Sequence, residues 1–534
     1  MPKSVRITAS FVGDKGESLN ESLSLDDLLQ ISSPIIDQAV EPIQDALDKA
    51  GLRPQDIDMV LLAGGSSQLP QVAEKIEQII GKRPRKIPKK LMLAVSYGAA
   101  LYHRDVLNLP SLHRENRILG EDLGIVVNDN GRMTPKLLLT HSTVLPTSSF
   151  FDFSLTHGQK TVTIRLVALD SMTNNVKYYL KQRDLVLKYP SDVVRVTISV
   201  TENRLIELTA FDPRHPENAS IIRVGESSLN GESPDAYRQK LGITVDSGFA
   251  PADSEQCIGI DLGTTTSELS TADRSGDANL EELTNPELGR NPSLAKCCFP
   301  SVVYFADGIR DVEVANVAAL TAKNDAGADG KVFDTFKISP VDKLITQVDG
   351  VEIRMQELSA YMLAKIWKTA QEEYDTSLKS AVVTVPAAFS IDQCEATYKA
   401  AIAAGISRVT LIDEPTAAFY YYRHVQQINT EMIKNVLVFD FGGGTADIAI
   451  LDISSGGSQQ LNVYKDDVFT VRAISGNPTC GGRDIDRALC EEIIRRFETR
   501  NHCKITEAGR NRLSASVEAA KVTLSEYYAE NMED

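Results

Sequence analysis

Two widely separated segments of the chain repeat one pattern, in which a short apolar strand runs into an aspartate and then a glycine–threonine turn. The first is Ile258-Gly259-Ile260-Asp261-Leu262-Gly263-Thr264-Thr265-Thr266. The second is Val436-Leu437-Val438-Phe439-Asp440-Phe441-Gly442-Gly443-Gly444-Thr445-Ala446-Asp447. Ile448-Ala449-Ile450-Leu451 follows it at once, so this turn joins a hairpin. Glycine lets backbone N–H groups approach phosphate oxygens with no Cβ in the way, and threonine hydroxyls add donors. A carboxylate repels phosphate, so Asp261 and Asp440 make sense as partners of Mg2+ or its waters. A third strand, Leu61-Leu62-Ala63, runs into Gly64-Gly65-Ser66 and then a helix, a turn that can lie against the nucleoside end of a nucleotide. One such turn is a common loop; the three together point to an α/β domain that binds a triphosphate and its metal between two facing hairpins. No GxxxxGKS or GxxxxGKT segment occurs, which excludes a P-loop.

The rest of the chain has more than one character. Its 534 residues exceed what one hydrophobic core normally serves, so two or three domains are expected. Residues 28–104 read as α/β. Ile36, Val40, Ile43 and Leu47 recur at helical spacing, and Gly51 can end that helix. The apolar run Met59 to Ala63 reads as a buried strand, and Val72, Ile76, Ile79 and Ile80 mark a second helix ending at Gly81. From about residue 118 to 224 the period becomes two. Val162, Ile164 and Leu166 alternate with Thr163 and Arg165, as Val194, Val196, Ile198 and Val200 do with Arg195, Thr197 and Ser199. Glu202-Asn203-Arg204 reads as a turn, since Asn tolerates positive φ. This is an all-β module of antiparallel strands. Residues 225–256, rich in Gly, Ser, Asp and Pro, read as a linker, and the α/β pattern returns from 257 to the end.

Charge and cysteine usage narrow the partners. A net charge of −17 with no long basic run argues against nucleic acid and anionic membrane. The first residues lack the apolar stretch of a secretory signal, and no apolar run reaches membrane-spanning length, so a cytoplasmic protein is expected. The seven cysteines include none before Cys257 and no CxxC pair, and the histidines form no HExxH. That argues against zinc and against a disulfide framework; reduced, mostly buried thiols are expected.

The motifs resemble those of the actin-like ATPase superfamily and, within it, the 70-kDa heat-shock (DnaK-type) chaperones. Asp261–Ser267 resembles the first phosphate motif of that family and Phe439–Asp447 the second. Ala381–Phe389 resembles its connecting strand, and Leu411–Ala418, which contains Glu414-Pro415-Thr416-Ala417-Ala418, its catalytic-glutamate motif. Val60–Ser66 resembles its adenosine motif, Ser96–Ala100 the helix after it, and Arg512–Ser525 its adenosine-contacting helix. The implied fold is an α/β actin-like two-lobed ATPase domain plus an all-β sandwich. The order of the parts is rotated against the family. Residues 1–104 resemble the C-terminal portion of the ATPase domain, 105–117 a linker and 118–224 the peptide-binding domain; 225–256 form a second linker and 257–534 resemble the N-terminal portion of the ATPase domain. Such a circular permutation puts residues near 1 and 534 close together on the surface. No helical lid is expected, because 225–256 is too short and loop-like.

The resemblance implies ATP hydrolysis with ATP/ADP, Mg2+ and, as a further cation, K+. Gly263, Thr264, Thr265, Gly442, Gly443, Gly444 and Thr445 would hold phosphates. Asp261, Asp440 and Asp447 would organise the metal and its waters, and Glu414 and Asp440 the attacking water. Lys337 resembles the family's hydrolytic lysine, with a solvated surface lysine as the alternative. Gly64, Gly65, Ser66, Gly481, Gly482, Glu518, Lys521 and Ser525 would surround the nucleoside. The β-module implies a site for extended apolar peptide at Ile125, Val127, Leu155, Val162 and Ile164, although alternating Val and Ile also describe the plain core of a sandwich. Unfolded polypeptide and co-chaperones are the implied partners.

Several positions depart from the family pattern. Val522 and Gln68 stand where arginines face the adenine, Arg483 replaces an acidic residue after Gly481-Gly482, and Met92 replaces an aspartate near the adenosine. Pro386 matches the family's switch proline, but Cys394 stands where an arginine relays the signal. His113-Arg114-Glu115-Asn116 replaces the apolar interdomain linker, so weak coupling between the two sites is expected. An ATP-driven peptide-binding chaperone is one reading; a nucleotide-dependent interaction module with a degraded ATPase cycle is the other.

Overall fold

The computed structural model describes residues 4–10, 12–14, 16–85, 92–107, 115–129, 132–156, 159–187, 191–223, 234–244, 256–273, 279–288, 298–324, 331–337, 344–374, 378–426, 433–455 and 467–532. Two sheets frame the cleft. In spatial order the first runs Leu280–Glu282, Thr266–Asp273, Gln256–Asp261, Ser380–Val385 and Arg408–Asp413, with Cys298–Pro300 also paired to Thr266–Asp273. The second runs Met59–Ala63, Asn435–Phe441, Ala446–Ser455, Asp467–Asn477, Glu115–Ile118 and Val144–Leu145. Both aspartate turns join antiparallel hairpins, with Asp261 opposite Glu268 and Asp440 opposite Asp447. Each hairpin is flanked by a parallel strand, Ser380–Val385 or Met59–Ala63. These are near-continuous apolar runs, as strands buried on both faces must be.

The pairing of Met59–Ala63 with Asn435–Phe441 joins the two ends of the chain into one body. The strand Ser4–Ala9 also packs against the helix Glu507–Met532. Two helices, Ala94–Tyr102 and Glu414–Gln426, fill the space between the sheets. The first carries no charge and is buried along its whole length. The helices cross at Gly98, where a Cβ would lie 1.7 Å from the Ala417 carbonyl oxygen, so only glycine fits. Tyr97 stacks on Tyr421 beside the crossing, with ring centroids 5.2 Å apart. Because the helix Glu414–Gln426 starts directly after the strand Arg408–Asp413, Glu414 is held at the sheet end where the cleft opens.

The single helix expected through Ile36, Val40, Ile43 and Leu47 is in fact two, Leu25–Val40 and Pro42–Ala50. The break falls at Glu41, since Pro42 has no N–H to donate and suits the start of a new helix. All four apolar side chains are nevertheless buried in one core.

The β-module is a sandwich of two four-stranded sheets. One runs Val176–Val186, Thr161–Leu169, Asp122–Asp129, Arg132–Leu139; the other runs Ser220–Arg223, Ile206–Phe211, Val193–Val200, Thr147–Ser154. Val194, Val196, Ile198 and Val200 all point into its core, as period two predicts. In the turn after Val200 the positive φ, 60°, belongs to Arg204 and not to Asn203. The Asn203 side chain is engaged elsewhere: its amide donates to the Val409 carbonyl and its oxygen accepts from Leu411 N–H.

Both presumed linkers hold regular structure. Residues 103–107 form a π-helical turn and Glu115–Ile118 a strand of the second sheet, while His113 and Arg114 lie outside the described residues. Within 225–256, Pro234–Lys240 form a helix. It packs on the helix Ile391–Ala403 of the two-sheet body, where Arg238 donates to the carbonyls of Ala403 and Ile402. Composition concealed this helix because its seven residues are held by tertiary contacts, which outweigh propensity in so short a segment. No described helix is long and apolar enough to cross a membrane.

Candidate active site

The two aspartate turns meet across a cleft of about 290 Å³. A Cβ on Gly443 would lie 2.3 Å from Thr265 Oγ1, so the turns touch. Each turn is braced by hydrogen bonds. Ser301 donates its hydroxyl to the Gly263 carbonyl at 2.7 Å and its N–H to the Thr265 carbonyl at 2.9 Å. Gly442 N–H donates to the Thr445 carbonyl at 3.0 Å, and the Gly442 carbonyl accepts from the Ser66 hydroxyl at 2.9 Å. The cleft wall is formed by Asp261, Gly263, Thr264 and Thr265 on one side and by Asp440, Gly442, Gly443 and Thr445 on the other. Gly444 and Gly481 are set behind it, packed against each other, and Asp447 is buried behind it with one oxygen accepting from Ala388 N–H at 3.1 Å.

Lys337 is no surface lysine. It is 9% exposed, and its Nζ lies 2.5 Å from Glu414 Oε1 on the cleft floor. Four carboxyls, Asp261, Glu414, Asp440 and Asp447, thus surround one ammonium. Burial pushes Asp261 upward, partly countered by Lys337 and by the Thr384 hydroxyl, which donates to Asp261 at 2.8 Å. Burial raises Glu414 and Asp440 well above the ordinary carboxylate range, and their charged neighbours raise them further against the pull of Lys337. Asp447 is pushed up to about 6, again chiefly by burial. For Lys337 burial opposes the charge, but Glu414, Asp261 and Asp447 outweigh it and hold its pKa above the ordinary value. Sequence alone did not mark Thr384 and Ser301 as supports; an unremarkable strand threonine and a lone serine carry no local signal.

Beyond the two aspartate turns the cleft is lined by Gly64, Gly65, Ser66, Gly482, Glu518, Lys521 and Ser525. Lys521 Nζ is 2.8 Å from Asp486 and donates to the Gly482 carbonyl at 3.3 Å. Ser525 donates its hydroxyl back to the Lys521 carbonyl, a bond within its own helix. Met92, Val522 and Gln68 also line the wall, and Val522 is 47% exposed. Arg483 also lines the cleft and bonds Asp334 of the opposite lobe.

The Hsp70 protein family profile matches residues 2–238 and 257–533, nearly the whole chain. The chain belongs to the Hsp70 family. Its curated relatives include the chaperone protein DnaK of Endomicrobium trichonymphae, 34% identical over 272 residues, which make up 50% of this chain and 40% of that protein. Another is the chaperone protein DnaK of Thermosipho melanesiensis, 32% identical over 276 residues, or 51% of this chain and 41% of that one. Each alignment thus spans about two fifths of the relative.

In this Hsp70 chain the sandwich is seated on the two-sheet body. Glu115–Ile118 runs parallel to Asp467–Asn477 and antiparallel to Val144–Leu145, so one sheet crosses from body to sandwich. The polar linker was expected to lack a docking segment; it docks as a strand, because ladder bonds come from the backbone and need no apolar side chains. Arg204 of the sandwich, buried, bonds Asp413 at 2.8 Å beside Cys394. The arginine absent at Cys394 is thus matched by one that arrives from the other domain. Burial pushes the Cys394 thiol up to about 11 despite Arg204. Of the peptide-site candidates, Ile125 and Ile164 are buried inside the sandwich core, while Val127, Leu155 and Val162 are partly exposed at its margin.

Proposed function

We propose that this chain is a Mg2+-dependent ATPase of the Hsp70 kind whose sandwich takes extended apolar peptide segments. The observation that carries the reading is the convergence of two glycine–threonine turns with Asp261, Glu414, Asp440 and Lys337 on a single cleft. Thr264, Thr265, Gly443 and Thr445, which line the cleft, would supply donors to phosphate oxygens. Asp261 and Asp440 offer hard oxygen ligands on the wall, and carboxyls raised by burial and mutual repulsion favour a divalent cation between them. Bound there, Mg2+ would neutralise charge on the phosphates; K+ is a second cation this acidic floor suits. Glu414 and Asp440 would orient the attacking water, and Asp447 would hold a second layer of it. Lys337 would meet the charge that develops on the transferred phosphoryl group. The nucleoside would lie along Gly64–Ser66, Glu518, Lys521 and Ser525.

In the sandwich, Thr147–Ser154 and Arg132–Leu139 each pair on one side only among the described residues. An extended peptide could add to such an edge, with Val127, Leu155 and Val162 nearby as its apolar contacts. The order of the parts supports a permuted Hsp70 architecture. A cytoplasmic protein acting on unfolded polypeptide, with co-chaperones, follows from the same reading.

Single-turnover ATP hydrolysis by the purified chain and by Asp440→Asn, with and without an apolar peptide, tests it. Mg2+-dependent turnover that is lost in the variant and altered by peptide supports a chaperone cycle. Nucleotide binding without turnover would instead favour an interaction module, a reading to which Val522 and Met92, where the family has charged side chains, lend weight.

A further inference from the structure

We infer that the nucleoside end of the cleft accepts either purine base, with the side-chain amide of Gln68 as the group that reads the base edge; this rests on the nucleotide cleft proposed above. At this end the wall is made by the short turn of helix Gly65–Gln68, by Met92 and by the helix Glu507–Met532, which packs on that turn. Met92 and Val522 both line the cavity and are 39% and 47% exposed, so two large apolar side chains stand open to whatever enters. A Cβ on Gly65 would lie 4.0 Å from Met92 Cγ, so Met92 rests beside bare glycine backbone. A flat heterocycle that covers these side chains buries apolar surface. That gain follows the area covered, and every base has such a face.

Side-chain donors on this wall are mostly spent. Lys521 bonds Asp486 and the Gly482 carbonyl, and Arg483 bonds Asp334. The hydroxyls of Ser66 and Ser525 go to the Gly442 and Lys521 carbonyls. Glu518 and Glu526 also line the cavity, but an ionised carboxylate only accepts, which suits the ribose hydroxyls that both purine nucleosides carry. Gln68 differs. It is exposed, it lines the cavity, and its side chain forms no hydrogen bond with any described residue. An amide carries a donor and an acceptor side by side, and a half-turn about its last torsion exchanges them. Adenine offers an amino donor beside the N1 acceptor; guanine offers the O6 acceptor beside the N1–H donor. One orientation of Gln68 matches the first pair and the other orientation the second. A fixed donor or a fixed acceptor in its place would leave one base with an unpaired group, which is how sites discriminate strongly.

Calorimetric titration of the full chain with Mg-ADP, Mg-GDP and Mg-pyrophosphate tests the inference. ADP and GDP should bind within about threefold of each other, and both more tightly than pyrophosphate. Gln68→Glu puts an acceptor where guanine can present two neighbouring donors, N1–H and its amino group. It should shift the ratio of the two Kd values about tenfold towards GDP. Gln68→Leu should weaken both nucleotides and keep their ratio within about threefold. A larger preference of the wild type for either base overturns the inference and leaves the nucleotide cleft standing. An unshifted ratio in Gln68→Glu likewise removes Gln68 as the reader of the base. Nucleotides that bind no more tightly than pyrophosphate would show that the base gains nothing from this wall, which also overturns it. A chain that binds none of the three refutes the nucleotide cleft itself, and the inference with it.

Discussion

Arg483 bonds Asp334 across the cleft, with Nη1 2.8 Å from the carbonyl and Nη2 3.1 Å from the carboxylate. Burial alone would raise the Asp334 carboxyl, but Arg483 and Lys323 together hold it below its ordinary value. The pair ties the two lobes at the mouth of the cavity, so it should slow the departure of a ligand. Both side chains are partly exposed, and such pairs are worth about 1 kcal/mol at most, so Arg483→Ala or Asp334→Asn should speed ADP release about two- to fivefold. Displacement of a fluorescent ADP analogue reads this directly. Equal rates in both variants and the wild type would show that the pair restrains nothing.

Lys337 bonds Glu414 on the cleft floor, where Asp261 and Asp447 also favour its charge. Lys337→Met should lower the single-turnover hydrolysis rate about 10²-fold or more, the scale seen when one electrostatic group at a transition state is lost. ADP affinity should fall far less. A variant that turns over at the wild-type rate would return Lys337 to a purely structural role.

Asp447 gives a prediction with a definite sign. Its carboxyl moves from an ordinary 3.8 to about 6 on folding, chiefly through burial, so the folded state holds the proton more tightly than the unfolded one. Below pH 4 both states are protonated and the burial costs nothing. As pH rises through 4 to 6 the cost appears, reaching about 3 kcal/mol above that range. Asp447→Asn keeps an oxygen for the Ala388 N–H without the charge. Thermal unfolding of the nucleotide-free protein should therefore show the variant pulling ahead of the wild type from pH 4 to pH 7, with no gap at the acid end.

Arg204 and Asp413 form a buried pair between domains. Removing one partner strands the other, so Arg204→Ala should cost about 3 kcal/mol or more in a urea titration. Asp413→Ala should cost a similar amount, and the double variant distinctly less than the sum. Strict additivity would mean the pair contributes no coupling.

At the margin of the sandwich, Leu155→Asp places a charge where an apolar peptide side chain would rest. The affinity for an extended apolar peptide, read by fluorescence anisotropy, should fall by about 2 kcal/mol, roughly thirtyfold. Unchanged affinity would move the peptide site elsewhere on the sandwich.

The parts of this protein legible in one dimension are those whose physics is local. A strand that ends in aspartate, glycine and threonine must turn there, wherever it sits in the fold, so both glycine–threonine turns and the Gly64–Ser66 turn could be read directly. The same holds for the period-two strands around Val196. What the tertiary structure alone decided are relations between distant residues. Lys337 reaches Glu414, and Arg483 reaches Asp334, only because two sheets bring their loops to one cleft. The strand Glu115–Ile118 docks through backbone groups that every residue carries, so side-chain pattern could not announce it. Arg204, not Asn203, takes the left-handed turn position, because the Asn203 amide holds a strand of the other domain. Local geometry follows from neighbours in sequence; a contact between distant segments depends on where the whole chain folds, and no short stretch of residues encodes that.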